Sequence, residues 1–392
     1  MPSRRLEGLF FSMLEYRKED IEMNNLKLQE AFSLNNQVTL KNHIVMSPMT
    51  TWSSHDDQTV SEKEVAYYGA RAKSVGMVIT GSSHVQENGV GFANELAVYA
   101  DRFIPGLTKL ATAIKAGGAK AVLQLNHAGN KALPEFISNQ DVVSASAVLA
   151  YKTAFAPEQT PRALEESEIL QVIRDFGSAT KRAIDAGFNG VEIHGAHGFL
   201  IQNFLSPHYN RRDDKWGGSL KNRLRFAMAI VDEVKKVAAK YADDSFIIGY
   251  RISLEEREND GLSLNDTEPL IENLVAKQVS YLHLSLGDAL SDHEHNSTNT
   301  EPFIQRISKL VNHRVPLIAA GSFNSLERMA VGLADGLDLV AVGSALVANP
   351  DLFEQKNLSL NLSASEIESI KLPESMFSKI KDLGVFAFQF TK

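Results

Sequence analysis

Eight short apolar runs, most of them rich in β-branched residues, recur along the 392-residue chain with helix-patterned segments between them. They fall roughly at 43–48, 77–82, 121–126, 190–194, 246–252, 281–285, 316–320 and 339–343. None alternates cleanly between apolar and polar, which suits strands covered by helices on both faces. The intervening segments carry one apolar stripe each. Ile169, Val172, Ile173, Phe176, Ala183 and Ile184 keep a 3.6-residue period, with Ser167 as the expected N-cap and Gly187 beyond the last turn. Ser61 and Glu64 have capping-box spacing ahead of Val65, Tyr68, Ala72 and Val75, and Ser219 precedes a stripe through Leu224, Ile230 and Val234.

Strand then helix, eight times over, has one common solution, the closed parallel barrel. The expected fold class is therefore α/β, a single-domain (β/α)8 TIM barrel. An open doubly wound sheet would show a glycine-rich dinucleotide turn after its first strand, and none is present. We divide the chain into an N-terminal extension without evident role (1–22, with Met23 as an alternative start), a barrel (23–355) and a C-terminal tail (356–392) whose late apolar residues Met376, Ile380, Leu383, Val385 and Phe386 pack on the barrel, over its outside or its mouth. Two connections, 126–166 and 195–219, are too long for turns. Both follow strands, third and fourth, so both belong to the face where barrels build their sites.

Composition removes several classes of function. With no cysteine there is no disulfide, thiolate metal site, iron–sulfur cluster or cysteine nucleophile. A formal charge of −8 argues against a nucleic-acid partner. No window is apolar and long enough to span a bilayer, and the N-terminal stretch lacks the plan of a secretory signal, so we expect a cytoplasmic protein that acts on small molecules, with homo-oligomerisation left open.

Polar residues at strand C-termini are the candidates for chemistry. They are Thr50 after the first strand, Ser82 after the second, Gln124 in the third, His194 and His197 after the fourth, and Arg251 in the fifth. Gln124 and Arg251 interrupt apolar runs, and a buried amide or guanidinium demands a polar partner, either a ligand or a neighbouring strand. The last two strands end in Gly321-Ser322 and Gly343-Ser344, and a helix with Asn324 and Glu327 at cap spacing follows the first pair. Small residues there expose backbone N–H groups in the two loops that commonly seat a phosphate. Such a seat would serve a phosphosugar or FMN equally well. The histidine pair could hold a metal, but the ends of strands one, two and seven supply no further ligand, so we assign no metal site.

Beyond these single positions, longer motifs carry a resemblance. Lys41-Asn-His-Ile-Val-Met-Ser-Pro-Met-Thr50, His194-Gly-Ala-His-Gly-Phe-Leu-Ile-Gln-Asn-Phe-Leu-Ser-Pro207, Asn210-Arg-Arg-Asp-Asp-Lys-Trp-Gly-Gly-Ser219 and Asn222-Arg-Leu-Arg-Phe226 resemble the Old Yellow Enzyme family, most of all its compact bacterial NADH-dependent flavin oxidoreductases. The resemblance covers about 25–351. It implies FMN as cofactor and NADH or NADPH as co-substrate, with hydride passing through the flavin N5 to an activated alkene, quinone or similar acceptor. Ser47, Pro48, Met49 and Thr50 would line the flavin, Thr50 near its O4, with Ser82 and Gln124 at the polar edge of the ring. Arg251 would stand near N1 and O2, and Gly321, Ser322, Gly343 and Ser344 would seat the phosphate. His194 and His197, with Thr50, would be catalytic, the histidines binding a substrate carbonyl, while Trp52 and Phe199 would wall the substrate pocket.

Three departures stand out. Phe199 occupies the place of the family's proton-donating tyrosine, and a phenyl ring has no proton to give. Water, Tyr209 or Tyr151 would have to substitute, or the enzyme would pass electrons to flavins, quinones or oxygen with only weak alkene reduction. Ser344 stands where the phosphate loop usually carries an arginine. No arginine follows Arg328, so the arginine that some compact members send into a neighbouring subunit is missing. An aldolase or phosphosugar isomerase barrel is the rival of another class, disfavoured because no strand-borne lysine sits at the mouth for a Schiff base.

Overall fold

The structure, a computed structural model, describes residues 23–34, 38–295, 297–354, 358–384 and 388–391. The expectations for 1–22 and for Val385 and Phe386 lie outside the described residues.

Eight parallel strands close on themselves: β1 (Ile44–Met46), β2 (Met77–His84), β3 (Lys120–Asn126), β4 (Gly190–Gly195), β5 (Ile247–Ile252), β6 (Tyr281–Ser285), β7 (Leu317–Ala320) and β8 (Leu339–Val342). Closure is made by β1, which pairs with β8 through Val45↔Ala341 and with β2 through Val45↔Met77. The strand ends deviate from the sequence reading in one informative place. β2 runs two residues past Ser82 because the short strand Leu96–Ala97 adds alongside it, Leu96 opposite Ser83.

The helices α1 (Glu62–Arg71), α2 (Ile104–Ala116), α3 (Glu166–Asp185), α4 (Leu220–Tyr241), α5 (Leu264–Ala276), α6 (Phe303–Val311), α7 (Leu326–Ala334) and α8 (Ser344–Ala348) each follow the strand of the same number. Each buries its stripe on the outer face of the barrel. In α3, Ile169, Val172, Phe176 and Ala183 are fully buried, and the isoleucine, valine and phenylalanine each contribute about 1.5–3 kcal/mol. The Ser61–Glu64 capping box forms as expected, Glu64 N–H on Ser61 Oγ at 3.2 Å and Ser61 N–H on Glu64 Oε2 at 3.1 Å. Two expected caps shift by one or two residues. Glu165, not Ser167, precedes α3, its N–H held by the Glu168 carboxylate at 2.7 Å. Ser325, not Asn324, caps α7 by accepting from Arg328 N–H at 3.2 Å.

The barrel interior is apolar in its lower layers, with Val45, Met77, Ile79, Val122, Ile247, Ile318 and Leu339 packed together. A small hairpin, Phe32–Ser33 with Thr39–Leu40, brings Leu34, Val38 and Leu40 into the same cluster. At the other end the tail returns to the barrel. Its helix, Glu374–Leu383, buries Met376 and Ile380, and the strand pair Asn361–Ser363 with Gln389–Thr391 braces it. Among the described residues no helix is long and apolar enough to cross a membrane.

Candidate active site

Above its apolar layers the barrel interior turns polar. Strand alternation points Gln124, Glu192, Tyr281 and His283 inward, and Glu192 is the hub. Its Oε1 accepts from Gln124 Nε2 at 2.7 Å, and its Oε2 accepts from Tyr281 Oη at 3.0 Å and lies 2.9 Å from His283 Nδ1. The Tyr281 ring reaches this point only because Gly249 opposite has no side chain; a Cβ there would lie 2.0 Å from Tyr281 Cζ. Burial pushes the Glu192 carboxyl pKa up, but His283, Arg251 and Gln124 together outweigh it and hold the group below its ordinary range. His283 is itself shifted down, by burial first, with the Glu192 charge pulling the other way, and Arg251 adds its positive charge to the same group.

One layer higher lies a cleft of about 500 Å³. Every residue expected to hold the flavin, its phosphate or the substrate lines it, from Ser47, Pro48, Met49, Thr50 and Trp52 on the first strand and its loop to Gly343 and Ser344 on the last. Ser82 arrives by a bulge. Ile79 pairs with Val122 and Ser82 with Gln124, so β2 spends one residue more than β3 and the bulge brings Ser82 to the mouth. Arg251 is 6% exposed and donates from Nη2 to Ser285 Oγ at 3.0 Å, while its Nε has no partner. Burial lowers its pKa to about 10, so it remains a cation at neutral pH.

His194 is buried, and its Nδ1 accepts the N–H of Ala196 at 3.3 Å, which places the ring proton on Nε2. His197 sits in a left-handed turn (φ 61°), its ring 5.0 Å from that of His194. Its Nε2 lies 2.6 Å from Ser285 Oγ. That oxygen also accepts from Arg251 and keeps a second lone pair, so it can either accept from His197 Nε2–H or donate to a bare Nε2. Both histidines are held well below the usual pKa, by desolvation first, then for His194 by His197 and Arg251, and for His197 by Arg251 and Lys131. Each is a neutral hydrogen-bond donor at pH 7. Among the described residues no group of three or more metal ligands forms.

Gly321 and Ser322 make a strained corner after β7. A Cβ on Gly321 would meet Ala289 N at 2.6 Å, and Ser322 has φ 51°. The Ser322 hydroxyl is spent on Gly287 O at 2.8 Å, so this loop can offer an anion its main chain but not that side chain. Phe199 packs edge-on against His194 at 5.1 Å and Phe92 at 6.3 Å. The two tyrosines considered as substitutes for it do not reach the cleft. Tyr209 donates to Glu258 at 2.9 Å, Tyr151 is 60% exposed, and neither lines the cavity. Lys131, which the sequence did not single out, does line it, its Nζ bound to His197 O at 2.5 Å and 6.0 Å from the Phe199 ring centre. Ser285 and Phe388 were likewise missed, while Met376 and Ile380, expected to pack over the outside or the mouth of the barrel, line the cleft.

Residues 27–362 match the sequence model described as the NADH:flavin oxidoreductase / NADH oxidase family. The chain belongs to this family. It is 41% identical over 359 residues to the "Probable NADH-dependent flavin oxidoreductase YqiG" of Bacillus subtilis, covering 90% of this chain and 95% of that one. It is also 40% identical to the NADH:fumarate oxidoreductase of Klebsiella pneumoniae, but there 90% of this chain spans only 39% of the longer protein. Among solved structures it resembles the old yellow enzyme of Trypanosoma cruzi, with 28% identity, a TM-score of 0.70, and coverage of 84% of this chain and 91% of that one. The Old Yellow Enzyme resemblance and the barrel are thus both shown, and the protein is an NAD(P)H-dependent flavin oxidoreductase whose cofactor is FMN.

Proposed function

We propose that the isoalloxazine of FMN lies across the mouth between β1 and Arg251, and that the cleft above it receives NAD(P)H and then a small carbonyl-bearing acceptor. The observation that carries this reading is Arg251. A guanidinium 6% exposed, with Nε unpartnered and one hydroxyl as its hydrogen-bond partner among the described residues, suits the electron-rich pyrimidine edge of a flavin. When bound, FMN supplies hydride transfer through N5 between the nicotinamide and the acceptor. The protein's own part is positioning and polarity. Ser82 and Gln124 meet the polar edge of the ring, Thr50 its O4 side, and the main chain around Gly321, Ser322, Gly343 and Ser344 seats the phosphate. His194 Nε2–H and the neutral imidazole of His197 donate to an acceptor oxygen and stabilise the charge that grows there. Trp52, Phe92 and Phe199 exclude water from the reacting face.

A second reading, in which the enzyme hands electrons to quinones, flavins or oxygen and protonates carbon poorly, is favoured by Phe199 and by the distance of Tyr209 and Tyr151 from the cleft. The barrel (23–355) and tail (356–392) are read as one functional unit, since Met376 and Ile380 wall the same cleft as the strands.

The test is colour and acceptor range. Purified protein should take up FMN, turn yellow, and bleach on anaerobic addition of NADH or NADPH. A protein that binds no FMN would overturn the proposal. Reoxidation rates with a panel of enones, quinones and oxygen then separate the two readings.

A further inference from the structure

Glu95 is 1% exposed, sits directly behind the cleft and takes no part in the chemistry proposed above. Its position follows from the sheet. The strand Leu96–Ala97 runs parallel to the end of β2 with Leu96 opposite Ser83, which sets Glu95 beside Ser82. The bulge in β2 in turn presents Ser82 to the cleft. The carboxyl is held asymmetrically. Oε2 accepts the N–H groups of Gly91 at 2.7 Å and Phe92 at 3.1 Å, while Oε1 lies 2.5 Å from Ser82 Oγ.

We propose that Glu95 is a positioning residue that sets the direction of the Ser82 hydrogen bond, and thereby decides whether the Ser82 hydroxyl is offered to the polar edge of the flavin. The inference rests on the flavin placement given under Proposed function. An ionised carboxylate only accepts, so the single proton of Ser82 is spent on Oε1 and the cleft meets a bare oxygen. A neutral carboxyl must carry its proton on Oε1, because two N–H donors already point at Oε2. That proton has one partner, Ser82 Oγ. The bond reverses, and the Ser82 hydrogen is released toward the cavity. A hydroxyl donor at a flavin carbonyl favours the reduced, more negative ring.

The groups packed on the carboxyl make this a device for neutral pH. Burial raises its pKa to about 7 against the opposing pull of Ser82, Gly91 and Phe92, and no charged group among the described residues contributes. Its hydrogen-bond partners are Ser82 from β2 and Gly91 and Phe92 from its own loop, and Ala128 and Phe199 approach Gly91 beside it, none of them ionisable.

Glu95→Gln separates this role from simple anchoring of the loop. Its amide oxygen can keep both N–H groups while its NH2 donates to Ser82, the arrangement of the protonated acid at every pH. The measurement is the FMN midpoint potential of the holoproteins from pH 5.5 to 8.5. Wild type and Glu95→Gln should agree below about pH 6 and separate above pH 7, with the variant higher by a roughly three- to tenfold preference for reduced flavin, about 15–30 mV for a two-electron couple. All the proteins share the pH slope that comes from the flavin's own proton uptake, so only differences between them count: the wild-type minus Ser82→Ala difference should change with pH over the same range, and it provides the test if Glu95→Gln does not fold. A gap between wild type and Glu95→Gln, or between wild type and Ser82→Ala, that is absent or constant with pH overturns the inference. Wild-type protein that takes up no FMN fails earlier and sinks the flavin placement itself.

Discussion

The hydroxyl of Ser285 lies 2.6 Å from Nε2 of His197 and accepts from Arg251 at 3.0 Å, so one small side chain ties the substrate-facing imidazole to the buried cation. Removing it as Ser285→Ala should leave the His197 ring without its partner at Nε2 and free to turn. We expect kcat/KM for carbonyl acceptors to fall about tenfold, the worth of one net hydrogen bond near 1.4 kcal/mol. Ser285→Thr should restore most of the loss, and steady-state rates for the three proteins would show it.

Phe199→Tyr adds the one group the cleft lacks. The ring packs against His194 and lies near Lys131, so a phenol there would be partly desolvated beside a positive charge. Positioned general acids are worth roughly 10²–10⁴ in rate, and we expect the lower end for alkene reduction. Quinone reduction needs no proton delivered to carbon and should stay nearly constant. Stopped-flow reoxidation of reduced enzyme by each acceptor gives the answer, and an equal response of both would remove proton supply from the role of this position.

Glu192 governs acid stability. Its pKa is held below the ordinary carboxylate value of about 4.3, so its ionised form contributes stability above that pH and loses it as pH falls through the lower, folded value. Glu192→Gln leaves Arg251 without its counter-charge and should cost about 3 kcal/mol at pH 7. At acid pH the wild-type group is neutral as well, and the gap should close. Urea midpoints followed from pH 7 downward through the acid range would reveal whether the two curves converge.

Gly321→Ala tests the corner after β7. The added methyl would stand 2.6 Å from Ala289 N and 3.1 Å from Leu286 O, both main-chain atoms that cannot swing away. A loss of about 2 kcal/mol is expected from the overpacking. The same shift should spoil the phosphate seat, so FMN affinity ought to fall further than that of riboflavin; fluorescence titration with both ligands would compare them.

The barrel was legible because its signal repeats: eight unalternating apolar runs and a 3.6-residue stripe between them leave little else to build. The strand-end residues were legible because a lone Gln124 or Arg251 inside such a run is costly without a purpose. The partners of these residues were not. Period-two counting from Met77 and Ile79 puts Gly81 inward, and only the bulge brings Ser82 round to Glu95. Ser285 ends β6 as serines end many strands, and nothing in its neighbours announces that it joins Arg251 to His197. The helix caps slipped by a residue or two because several adjacent side chains can each satisfy the first turn, and the backbone path chooses among them. Lys131 sits in a long loop whose course no local pattern encodes.

The tail residues at the cleft have a practical consequence for handling the protein. Phe388 lines the cavity together with Met376 and Ile380, so trimming the protein ahead of the helix Glu374–Leu383 would strip one wall from the cleft and open it to solvent.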